Sequence, residues 1–108
     1  MRKSVLKLDM LVLQILCDSD SYGYEIVSTI ESRTNGVVLI KEGVLYPILY
    51  KLVEGNYIKP YDKLVDGRKR VYYSILDKGY NYLDEMKLDY HELTHAIDNL
   101  IGRGKKNE

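Results

Sequence analysis

Apolar residues fall at Leu8, Leu11, Val12, Ile15 and Leu16, the i, i+3, i+4, i+7, i+8 spacing of a helix with one buried face. Asp18, Ser19, Asp20 and Ser21 break this pattern and can cap a following helix. The second helix is expected from about Tyr22 to Arg33, burying Ile26, Val27 and Ile30, with Asn35 and Gly36 as its stop. Val37 to Ile40 reads as a short extended run. A third helix buries Leu45, Ile48, Leu49, Leu52 and Val53 and ends at Gly55 and Asn56. Pro47 locates its start: deep inside a helix proline costs about 3 kcal/mol, but near the first turn its missing N–H has no partner to lose. Regular helix therefore begins close to Gly43.

The pattern then changes period. Tyr57 to Leu64 reads as a strand, and Pro60 within it implies an edge position or a bulge. Asp66-Gly67 is a turn signal, followed by a second strand from Arg70 to Ile75 with Val71, Tyr73 and Ile75 on one face. The last helix is expected from Asp77 to Ile101, with Gly102 as its stop. Its apolar residues Leu83, Met86, Tyr90, Leu93, Ile97 and Leu100 are spaced 3, 4, 3, 4, 3, the seam of a helix that pairs with another helix. The fold class is thus mainly α with a small β-hairpin: a winged helix-turn-helix over residues 1–76, a C-terminal dimerisation helix over 77–101 and a disordered tail over 102–108. Nothing else in the chain is left to cover the seam, so a second subunit is expected there.

Composition narrows the function. The 108 residues carry 16 basic and 16 acidic side chains, so the chain is no generic polycation. Charge is unevenly spread. Residues 61–76 hold Lys63, Arg68, Lys69 and Arg70 against Asp62 and Asp66, and residues 77–101 hold six acids against Lys78 and Lys87. A molecule with separate basic and acidic ends can meet a polyanion with one end. No signal peptide or membrane-spanning run is visible, and one cysteine, Cys17, forms no internal disulfide framework. These features point to the cytoplasm. There are eleven tyrosines but no phenylalanine or tryptophan; tyrosine suits core edges and interfaces, where the ring is buried and the hydroxyl finds a partner.

In a helix-turn-helix the second helix of the motif enters the major groove of double-stranded DNA. Here that is the third helix, whose non-core face displays Lys41, Glu42, Val44, Tyr46, Pro47, Tyr50 and Lys51. The lysines neutralise phosphates, the tyrosine hydroxyls donate to them, and Val44 suits a thymine methyl. Arg68, Lys69 and Arg70 at the hairpin tip would reach flanking backbone or minor groove. The plainer alternatives are packing of Tyr46 and Tyr50 on the second helix, and a solvated turn at 68–70.

Three ordered segments resemble the PadR-like regulators: Tyr22-Gly23-Tyr24-Glu25-Ile26, Gly43-Val44-Leu45-Tyr46-Pro47-Ile48-Leu49, and the run from Gly67 to Gly79. The resemblance covers about residues 5–101. It implies a homodimeric winged-helix repressor, often responsive to small aromatic or cationic compounds, and within the family the compact subgroup with one C-terminal helix. The family commonly has threonine where this chain has Val44, which removes a hydroxyl near the DNA. Some compact members hold flat drugs between subunits on aromatics of the last helix. Tyr90 is the residue placed for such an effector contact, and the lack of tryptophan excludes a tryptophan sandwich.

His91-Glu92-Leu93-Thr94-His95 matches H-E-x-x-H, the pattern in which two histidines on one helix face hold zinc and the glutamate acts as base. A catalytic zinc needs a third ligand, and Asp98 and Glu108 belong to no second motif. The heptad assignment also puts His91, Glu92 and His95 on the solvated face, where no cleft is expected. Cys17 reads as a small buried hydrophobe. The expected function is therefore a DNA-binding regulator rather than an enzyme, with no cofactor and no metal. A winged-helix adaptor that binds protein instead of DNA is the alternative.

Overall fold

The computed structural model describes residues 7–102. In chain order it contains α1 (Leu8–Asp18), β1 (Ser21–Tyr22), α2 (Gly23–Arg33), α3 (Glu42–Glu54), β2 (Ile58–Val65), β3 (Arg68–Ile75) and α4 (Asp77–Ile101). The strands form one antiparallel sheet in the order β1-β3-β2. The chain is mainly helical with a small sheet, in the winged-helix arrangement. The tail expected at 102–108 lies, beyond Gly102, outside the described residues.

The core is organised around α1. The spacing predicts one buried stripe, yet Met10, Val12, Leu13, Ile15 and Leu16 are all buried, and Leu8 and Leu11 are partly covered. The reason is that α2, α3, α4 and β3 all pack on this helix, and a helix with neighbours on several sides buries more than one stripe. Ile26, Val27 and Ile30 of α2 and Leu45, Leu49 and Leu52 of α3 close the core from one side, with Ile48 and Val53 at its margin.

Several boundaries differ from expectation for local reasons. Ser21 does not cap α2. It belongs to β1, which pairs Ser21 with Tyr73 and Tyr22 with Tyr72. The first residue outside α2 is Tyr22, whose N–H donates to the Glu25 carboxylate (3.3 Å). The stop after α2 is as expected: Asn35 and Gly36 have φ of 53° and 79°, the left-handed region that ends helices. Residues 37–40 form no strand. The Thr34 hydroxyl accepts the Val38 N–H (3.0 Å), Ile40 turns into the core, and Val37 and Leu39 stay exposed. Since α3 starts at Glu42, Pro47 lies in its second turn. The carbonyl deprived of an N–H partner belongs to Gly43, which is exposed, so water can satisfy it.

The hairpin is longer than expected, since β3 begins at Arg68. Asp66 and Gly67 both have positive φ, 53° and 76°, as a two-residue hairpin turn of the twist-matching type requires. Register is continuous from Ile58↔Ile75 to Val65↔Arg68. β2 is an edge strand, so Pro60 is accommodated without a bulge. Tyr73 and Ile75 pack against the helical core; Val71 shares their face but is 44% exposed.

The bounds of α4 agree with expectation, but its surroundings do not. Leu83 and Met86 are buried in the protomer's own core at 2% and 8% exposure, where α4 packs on α1. They are therefore not free to form a seam with another subunit, and residue 76 does not separate two packing units. Tyr90 is partly buried against the same core. Farther along, Ile97 and Leu100 are exposed, 38% and 82%, and the molecule is drawn out to 61 × 27 × 22 Å.

Two glycines give opposite expectations for the same substitution. A Cβ at Gly79 would strike the Tyr57 carbonyl oxygen and lie 2.7 Å from Ile75 Cγ1, whereas one at Gly43 would meet nothing within 4 Å. Gly79→Ala is expected to destabilise by about 1–3 kcal/mol, as overpacking does. Gly43→Ala is expected to stabilise by up to about 1 kcal/mol through helix propensity. Chemical denaturation of the two variants checks both signs.

Candidate nucleic-acid interface

Burial of Leu45, Leu49 and Leu52 turns the opposite side of α3 outward. Lys41, Glu42, Val44, Tyr46, Pro47, Tyr50 and Lys51 are all exposed there. Tyr46 has a double position. It is 46% exposed, yet a Cβ at Gly23 would lie 2.9 Å from its Cζ, so the ring rests on the first turn of α2 in the space that glycine leaves. Tyr50, at 65% exposure, is turned to solvent.

The wing lies beside this face. β1 ends at Tyr22 because the chain turns into α2 at Gly23, so β3 loses its neighbour beyond Tyr72. The opening is a cleft of about 260 Å³ lined by Tyr22, Gly23, Tyr46, Lys69, Arg70, Val71 and Tyr73. Tyr46 of α3 and residues of the basic strand thus share one concavity. The three basic residues of the wing are not equivalent, because strand alternation sends Lys69 to one face and Arg68 and Arg70 to the other. Lys69 reaches Asp62 (3.5 Å), both well exposed, a contact worth little in water. Arg70 lies over the Tyr22 ring, 4.5 Å from its centroid.

The sheet's outer face carries a cluster that sequence reading missed. Tyr72 is only 7% exposed although it points away from the helical core. Tyr22 and Tyr61 flank it at centroid distances of 5.4 and 5.9 Å, and Lys63 Nζ sits 4.8 Å above its ring. The Tyr61 hydroxyl donates to Asp20 Oδ2 (2.8 Å). This bond raises the Tyr61 phenol above its ordinary pKa; burial, then the Glu25 charge, raises that of Tyr72. Burial, then Tyr46, does the same for Tyr73. These hydroxyls therefore stay protonated at neutral pH. The two-residue turn dictates the pairings Tyr61↔Tyr72 and Lys63↔Arg70, so Asp66-Gly67 held the signal. Tyr22 gave none, because a strand of two residues has no period.

His91, Glu92 and His95 are exposed on α4, and among the described residues no group of three or more potential ligands could hold a metal ion. Cys17 is partly buried against the core. Among the described residues no helix is long and apolar enough to cross a membrane. A groove of about 570 Å³ between α1 and α4 is lined by Lys7, Met10, Tyr82, Glu85, Met86, Leu88, Asp89 and Glu92. Tyr90 is not among its walls.

An α2–α3 pair with an exposed second helix, flanked by a basic hairpin, defines a winged helix-turn-helix protein of the transcription-regulator class. Residues 12–85 match the transcriptional regulator PadR-like family, and the chain belongs to that family. Its members are transcription regulators, not enzymes. A Lysinibacillus sphaericus protein of uncharacterised role is 38% identical over 92 residues, 84% of each chain. The Escherichia coli transcriptional regulator YqjI is 33% identical over 79 residues, 73% of this chain but 37% of its own length. A Clostridium thermocellum transcriptional regulator is similar in structure (TM-score 0.77, 34% identity, 89% and 93% of the two chains covered). Bacillus subtilis PadR in complex with operator DNA shares the fold (TM-score 0.66, 23% identity, 72% of this chain and 44% of that one).

The H-E-x-x-H match is tested directly by His91→Ala combined with His95→Ala. Exposed substitutions away from caps and cores shift stability by no more than about 0.5 kcal/mol. That is the expected result in thermal and chemical denaturation, with or without added zinc. Marked stabilisation by zinc that the double variant abolishes would restore the metal reading.

Proposed function

We propose that the chain is a homodimeric repressor that holds a pseudopalindromic operator through α3 and the wing. The observation that carries this reading is the shared cleft: Tyr46 of α3 and Lys69 and Arg70 of the wing line one concavity. One rigid head therefore offers two DNA-facing elements at once. Helix 41–54 enters the major groove, with Val44 toward a thymine methyl and Lys41, Tyr46, Pro47, Tyr50 and Lys51 along its walls. The segment 65–70 follows the flanking backbone with Arg68, Lys69 and Arg70. The Bacillus subtilis relative with this fold was captured on its operator, which supports the same partner here.

The second subunit is expected on the exposed apolar end of α4, where Ile97 and Leu100 continue the seam beyond Leu93. Two heads joined in this way read major grooves about 34–36 Å apart on one face of B-DNA. A small aromatic effector touching Tyr90, or lying in the nearby groove between α1 and α4, releases the operator only by favouring one spacing of the heads over another. Such a repressor acts in the cytoplasm.

Mobility-shift titration against the protein's own upstream DNA tests the first part. Binding is expected to weaken steeply with salt as counterions are released. Replacing Arg68, Lys69 and Arg70 together by Ala is expected to lower affinity and flatten the salt slope by about 0.9 for each phosphate no longer neutralised. Unchanged affinity in the triple variant refutes the wing assignment. Absence of binding by the wild type favours a protein-binding adaptor. For the second part, Ile97→Asp with Leu100→Asp is expected to yield monomers in sedimentation while retaining native helicity; a persistent dimer places the interface elsewhere.

A further inference from the structure

We propose that Tyr22 is a positioning residue for DNA binding, its ring holding the Arg70 guanidinium in the orientation that meets a backbone phosphate. The inference rests on the DNA-binding reading above and assigns a role to a residue outside α3 and the wing. Three observations carry it. The guanidinium carbon lies 4.5 Å from the Tyr22 centroid, well within the range of a cation–π contact. Among the described residues no carboxylate pairs with Arg70, whereas Arg33 is bound to Asp18 (2.7 Å) and Lys69 to Asp62 (3.5 Å). Arg70 is thus held over an aromatic ring, and its N–H groups, which can bind phosphate oxygens, have no carboxylate partner among the described residues.

The third observation is that Tyr22 is itself fixed. Its N–H is held by Glu25, its backbone pairs with Tyr72 in the sheet, and its ring leans on the Tyr72 ring at 5.4 Å. Tyr72 in turn meets Tyr61, whose hydroxyl is tied to Asp20. The chain of contacts crosses all three strands and returns to the α1–β1 loop. An arginine on a bare hairpin would lose rotamer freedom on binding DNA. One already held over an anchored ring loses less, which is how preorganisation raises affinity. Lys63 on the Tyr72 ring places a second cation on the same face. The Glu25 carboxylate borders the cluster, and its bond to the Tyr22 N–H occupies one of its oxygens.

The experiment is a double-mutant cycle of Tyr22→Leu and Arg70→Ala, read as operator affinity and salt slope on the 108-residue chain. Each single change is expected to weaken binding about 2- to 10-fold, the range of a partly exposed cation–π contact. The double variant is expected to be scarcely weaker than Arg70→Ala alone. Tyr22→Phe, which keeps the ring face, is expected to bind like the wild type. Site-specific replacement of residue 22 by phenylalanines of increasing fluorine content drains the ring face of charge at nearly constant shape, and keeps the test valid if Tyr22→Leu unfolds. Affinity falling stepwise along that series supports the proposal. Full additivity of the two substitutions, or a flat fluorine series, overturns it while leaving DNA binding intact. Failure of the wild type to bind DNA overturns both readings.

Discussion

The enclosure of α1 is the constraint on which the molecule depends. Val12 and Leu13 have no exposed surface, Leu16 has 2%, and α2, α3, α4 and β3 all rest on this helix. Burial of such a side chain is worth about 1.5–3 kcal/mol, so a few of these residues match much of the stability of a small domain. The geometric consequence is equally strong. The exposed face of α3 and the direction of the wing are both set by elements docked on the same helix. Their shared cleft is thus a property of the core and does not require DNA to assemble it.

Tyrosine stands at several joints between the core and its surroundings. Tyr46 fills the space at Gly23 that fixes α3 against α2. Tyr57 stacks on Tyr82 at 4.6 Å and lies under Lys78, whose ammonium also bonds the Gly55 carbonyl (2.8 Å). This joins the end of α3 to α4. Tyr22, Tyr61 and Tyr72 close the outer face of the sheet. A phenylalanine at position 61 would supply the same ring area but leave no hydroxyl for Asp20.

Sequence reading succeeds where a signal repeats or where chemistry forces a conformation. The limits of α4, the stop at Asn35-Gly36 and the Asp66-Gly67 turn belong to this class. It fails where an outcome depends on what packs against an element. Periodicity makes the stripe on α1 too narrow, because the spacing in one helix does not report how many neighbours surround it. Leu83 and Met86 read as a surface for another subunit for the same reason: a heptad seam shows that a helix has a partner, not which one. β1 is invisible in the sequence because it owes its existence to the edge of β3 and not to its own two residues. At the candidate interface, the outward residues of α3 and the wing cations are legible, but the contact of Arg70 with the Tyr22 ring joins residues 48 positions apart and no local pattern encodes it.

The seam on α4 changes partners along its length, and this has a mechanical consequence. Leu83 and Met86 belong to the core of the head, Tyr90 and Leu93 are half covered, and Ile97 and Leu100 face solvent. An uninterrupted helix of 25 residues joins these regions. It contains no proline, and Gly79, its only glycine, lies in the first turn, so no interior residue marks a hinge. Any partner that takes hold of the exposed end therefore acts on the helix that closes the head. Leu83 and Met86 link that helix to α1, and the Tyr57–Tyr82 stack links it to the end of α3. Close-packed cores transmit displacement and do not absorb it. In an assembly built on this helix, the angle of the proposed DNA-facing elements would be coupled to packing at the far end of α4.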